Sequence, residues 1–161
     1  MATQFEINRK AAIDYVESQG WKYEVIFDQP GWTILEALLN VRSKLNSIRL
    51  FVLVSPTDIQ SIGVAPLNAD EDARMSVSEY LTRANYELKV GKFEFDFSDG
   101  EVRFQSILSC VNSKASHEDV KRIVDCPVAM FSRYGDGLLK CMYGFSDPMS
   151  AVEEAEAEAE S

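Results

Sequence analysis

Few side chains in this sequence of 161 residues could do chemistry, and each kind can be taken in turn. His117 is the only histidine, so any acid–base relay, triad or histidine-bearing metal site must pass through it. It falls in the expected first turn of a helix, where side chains point to water. Cys110, Cys126 and Cys141 are odd in number, widely spaced and without a C-x-x-C pair. A zinc site would lack ligands, so they read as reduced thiols acting as small hydrophobes. Glu94, Asp96, Asp99 and Glu101 cluster, and paired carboxylates can bind a metal or move protons. Their spacing puts them in a turn and on the outer side of two strands, where such residues solvate a sheet. Gly135-Asp136-Gly137 lacks the rest of a phosphate loop, and no serine sits in a G-x-S-x-G context. The inventory names no catalytic residue, no metal site and no cofactor, and the expectation is a protein that is not an enzyme.

Composition narrows the class further. The chain is 46% hydrophobic and 26% charged, ordinary for one globular domain long enough to bury a core. No apolar run approaches the ~20 residues of a membrane helix. Met1–Glu6 lacks the basic start and apolar core of a signal peptide, so the expected location is the cytoplasm, with no membrane partner. The net charge is −10, and setting aside Glu153, Glu154, Glu156, Glu158 and Glu160 still leaves −5. Lys121-Arg122 and Arg42 with Lys44 are scattered, not a basic footprint, which argues against nucleic acid.

The elements that would position any site centre on Leu81–Leu108, LTRANYELKVGKFEFDFSDGEVRFQSIL. Asp99-Gly100 between alternating segments predicts a β-hairpin with a two-residue turn. In that register Phe97 faces Val102, Phe95 faces Phe104, and Phe93 lies further along the same apolar face. The other face carries Lys92, Glu94, Asp96, Glu101, Arg103 and Gln105, with Asp96 opposite Arg103. Before the hairpin, Val77, Tyr80, Leu81 and Ala84 form one side of a helix that ends near Asn85-Tyr86.

Leu81–Tyr86, Gly91–Glu94 and Asp99–Phe104 together resemble the YbjN-like domain, a bacterial family described as a sensory transduction regulator. The resemblance is carried by Met75–Tyr143, with the first half similar in pattern only. It implies a fold similar to type III secretion chaperones and brings no catalytic residues with it.

Elsewhere, apolar spacing predicts a helix over Ile7–Gln19, stopped by Gly20, and a strand over Tyr23–Phe27. Thr33–Val41 fits two patterns: Ile34, Leu35, Leu38 and Leu39 suit a helix, while Leu35, Ala37, Leu39 and Val41 suit a strand. The resemblance implies the strand. Ile48–Val54 is apolar on both faces and belongs centrally in a sheet. Ile59–Ala65 is a further strand. Ser116 is the expected N-cap of a helix whose apolar face runs through Val120, Ile123, Val124, Val128, Phe131 and Tyr134. Pro127 should kink or break that helix, and Gly135-Asp136-Gly137 should interrupt it.

The expected fold is α+β: an antiparallel sheet packed by N-terminal, central and C-terminal helices in one domain over residues 1–145. Residues 146–161, rich in Glu and Ala, read as a mobile acidic tail. The expected function is non-catalytic protein binding in a chaperone-like or regulatory role, with pairing to a second copy also open. The alternative is a small-molecule sensor with an apolar pocket. Candidate partner-binding residues are Asn85, Tyr86, Trp21, Trp32 and Tyr134.

Overall fold

The computed structural model describes residues 1–160. Helix α1 (Gln4–Ser18) starts at a reciprocal cap: Thr3 Oγ1 accepts the Glu6 backbone N–H, and Glu6 accepts that of Thr3. Strands β1 (Glu24–Gln29), β2 (Trp32–Asn40), β3 (Ser47–Val54) and β4 (Asp58–Val64) follow as a meander. Helix α2 (Arg74–Asn85) then carries the chain to the far side of the sheet. There β5 (Lys92–Phe95) forms the edge, and β6 (Val102–Ser109) returns between it and β4. The sheet order is β1-β2-β3-β4-β6-β5, antiparallel throughout. Helices α3 (His117–Met142) and α4 (Pro148–Glu160) complete an α+β architecture of six strands and four helices.

The segment with two patterns, Thr33–Val41, is largely strand. Thr33, Leu35, Ala37 and Leu39 alternate as its buried side, and β3 pairs with it from Thr33↔Val54 to Asn40↔Ser47. A ready partner strand outweighs the local helix preference. Strand β3 is interior, as expected, yet only its Ile48, Leu50, Val52 and Val54 side is fully buried.

The hairpin departs from its expected register by two residues. Phe93 faces Phe104, Glu94 faces Arg103 and Phe95 faces Val102, so Arg103 pairs with Glu94 and not Asp96. The loop is longer because Asp96 folds over it. Its carboxylate accepts the Ser98 N–H, and its carbonyl accepts that of Gly100, which stands at φ +82°. A shift of two preserves each strand's faces, but it lifts Phe97 out of the core into solvent.

Helix α3 is unbroken through Pro127, Gly135 and Gly137. Proline removes the N–H that Ile123 O would accept and crowds the preceding turn. The sheet supplies the missing donor, since Ser106 Oγ donates to Ile123 O (2.6 Å), and Ser61 Oγ donates to the next carbonyl, Val124 O (3.1 Å). These serines are cross-strand neighbours, both fully buried. Gly63 makes room for the ring, since a Cβ there would stand 2.7 Å from Pro127 Cβ. The later glycines serve close approach, Gly135 against Ser43 and Gly137 against the Tyr80 hydroxyl.

The segment expected as a mobile acidic tail is instead a docked helix, with Ser161 outside the described residues. Asp147 caps α4 by accepting the Ser150 N–H (2.9 Å), with Pro148 in the first turn. Ala151, Val152 and Ala155 are buried against α2 and α3. Lys140–Glu154 (2.9 Å) and the Tyr134 hydroxyl on Glu156 (3.2 Å) fasten the same side. Small residues let α4 approach closely, which the Glu/Ala alternation concealed.

Candidate binding surface

All four helices stand on one side of the sheet: α1 over β3 and β4, α3 over β3, β4 and β6, α2 beside β5, and α4 outside α2 and α3. The other face is left to solvent. Register aligns its side chains in rows. One row runs Phe27, Ile34, Leu53, Gln60, Ile107, and the next Glu36, Phe51, Ile62, Gln105, Lys92. A third runs Leu38, Arg49, Val64, Arg103, Glu94. Leu38 is 69% exposed, Ile107 54% and Phe27 43%, so this face offers apolar groups that no element among the described residues covers. Its two arginines are matched internally. Arg49 pairs with Glu36 and Arg103 with Glu94, each at 3.0 Å, and the Arg49 guanidinium lies over the Phe51 ring.

The five candidate binding residues are not brought together. Trp32 points to this uncovered face, half-buried beside Ile34. Trp21 stacks edge-on against Tyr15 and lines a ≈770 Å³ cleft with Leu39, Val128 and Ala129 at the end of β2. Tyr86 is exposed and lines a third region, between the end of α2 and α4. Asn85 is a structural clamp: its amide donates to Phe93 O (2.9 Å) and its carbonyl accepts Phe93 N–H (2.7 Å). Tyr134 is buried, with its phenol pushed up to about 12 chiefly by that burial. The polar groups of both are engaged within the chain, that of Tyr134 by Glu156. Sequence reasoning missed Leu38, Ile107 and Phe27, although the two-sided apolarity of β3 was a visible signal for them.

Several of the groups with chemical potential make structural contacts. Asp96 accepts from Ser98 Oγ and N–H, which hold its carboxyl below the usual range, and Asp99 accepts the Glu101 N–H (2.9 Å). Glu94 is the partner of Arg103. His117 is exposed, its ring 5.2 Å from that of Tyr15, whose hydroxyl donates to Asp125. The cysteines are free thiols, and burial pushes Cys126 and Cys141 up to about 11, away from the nucleophilic thiolate. Among the described residues no group of three or more His, Cys, Asp or Glu is placed to hold a metal ion. None of their helices is long and apolar enough to cross a membrane.

A meander extended by a hairpin, with every helix on one face and the other open, defines a one-sided α+β sheet domain. Residues 13–140 match the YbjN family, described as a putative bacterial sensory transduction regulator, and the chain belongs to that family. The match runs from within α1 almost to the end of α3 and leaves α4 outside it. No curated protein matches the chain.

Proposed function

We propose that this chain is a non-catalytic regulatory module that works in the cytoplasm by holding a polypeptide on the uncovered face of its sheet. The observation that carries this reading is the apolar row of Phe27, Ile34, Leu53 and Ile107 on a face that no helix among the described residues covers. Because the arginines there are already matched by Glu36 and Glu94, the partner is an apolar segment of low charge, not an acidic or basic one. The regulator description of the family and the consumption of reactive groups in structural bonds support the same reading.

Site-specific photo-crosslinking tests the surface. A photoreactive side chain in place of Leu38 or Ile107 should form one adduct of defined mass with a polypeptide in cells. The same group in place of Met75, exposed on α2, should not. Equal adducts from both sides of the molecule would refute the assignment. An adduct with a second copy of the chain would identify the partner as the protein itself.

A further inference from the structure

A separate feature lies on the helix side, in the cleft between α3 and α4, with a volume of ≈460 Å³. That size is within the range of small-molecule sites, about 300–1,000 Å³. Charge makes the cleft unusual in a protein of net charge −10. Lys44, Arg133 and Lys140 all line it, against the carboxylates of Asp136 and Glu154. Glu154 is taken by Lys140 at 2.9 Å, and Asp136 Oδ1 accepts the Lys44 backbone N–H at 2.7 Å. Among the described residues, neither the Lys44 ammonium nor the Arg133 guanidinium is in an ion pair. The Arg133 guanidinium lies 5.2 Å from the centroid of the Tyr134 ring, and its Nε is buried with no hydrogen-bond partner. A buried donor of this kind is stabilised by an acceptor, and an anionic oxygen is the strongest one.

The same cleft has an aromatic component. Tyr143 and Phe145, 61% and 81% exposed, lie at its rim with ring centroids 6.2 Å apart and planes tilted by 34°. Rings held side by side in water offer a surface on which a flat ligand can pack. Ala151 and Ala155 of α4 form part of the wall, so docking of that helix completes the cleft.

We propose that this cleft binds a small aromatic anion: a flat ring packed on Tyr143 and Phe145, with a carboxylate, sulfonate or phosphate received by Arg133 and Lys44. The site is independent of the sheet face, and the two readings fail separately. The test is a fluorescence titration of the full chain with 1-anilinonaphthalene-8-sulfonate, beside its uncharged analogue N-phenyl-1-naphthylamine. Saturable one-site binding of the sulfonate is expected, at least tenfold tighter than the neutral ring. Lys44→Glu and Phe145→Ser, both at exposed positions and leaving the melting temperature unchanged, should each weaken it at least tenfold. Arg133→Met should do the same, while Ile107→Ser on the sheet face should leave the titration as it was. Equal binding of the two probes would overturn the proposal. So would a signal that Ile107→Ser lowers and Phe145→Ser does not.

Discussion

The two faces of this sheet are made by the same strands under the same alternation, and both are rich in apolar residues. On the helix side, Leu35, Leu50, Val52, Ile59 and Phe104 are buried, and even the polar Ser61 and Ser106 are sealed in with a carbonyl each. On the other side, Leu38, Ile107 and Phe27 stand in water while Arg49 and Arg103 satisfy Glu36 and Glu94. Apolarity therefore does not decide which face is covered. Connectivity does: α1, α2 and α3 all return over the same side, and α4 adds to their layer. Leu38, Ile107 and Phe27 on the far side keep much of their apolar surface in water, which makes them available for a partner.

Substitutions can break or sharpen that contrast. The largest effect is expected from Phe104→Ala, because this ring is fully buried and packs edge-on against Phe93 at 4.9 Å. It should lose about 3–5 kcal/mol in denaturant unfolding. Gly63→Ala should cost about 1–3 kcal/mol by the same measurement, since the new methyl group overlaps Pro127. Ser106→Ala strips the Ile123 carbonyl of its donor and should cost ~1–3 kcal/mol, with faster amide exchange around Pro127. Asp147→Ala should act more locally, raising hydrogen exchange in α4 and leaving the sheet protected. Acid should mimic it. Hydrogen bonds from Ser150 hold the Asp147 carboxyl below its ordinary 3.8, so its contribution is present above that pH. It is lost as the pH falls through the lowered value. The smallest effect on stability belongs to the uncovered face, where Ile107→Ser should change unfolding by no more than about 0.5 kcal/mol.

Much of the covered side was legible in the sequence. Alternation in β3 and β6, the spacing of Val77, Tyr80, Leu81 and Ala84, and the Ser116 cap all report local physics that the structure keeps. What was hidden depended on contacts distant in sequence. Pro127 reads as a helix breaker until Ser61 and Ser106 arrive from two strands to accommodate it. The Glu/Ala stretch reads as solvated until α2 and α3 offer a surface that small residues fit. The hairpin register slipped by two because the Asp96 side chain competed for backbone donors in the loop. Of the candidate site residues, Trp32 lies on the open face, whereas Asn85 and Tyr134 turned inward. Aromatic or amide character alone did not distinguish an anchor for a partner from one for the fold.

The contrast between the faces is tested most directly by one double variant, Leu38→Asp with Ile107→Asp, measured for thermal unfolding and for partner recovery in a crosslinked pull-down. The account predicts a melting temperature shifted by less than ~4 °C and loss of the polypeptide that the unsubstituted chain recovers. A collapse in stability like that of Phe104→Ala, or undiminished recovery of that polypeptide, would contradict it.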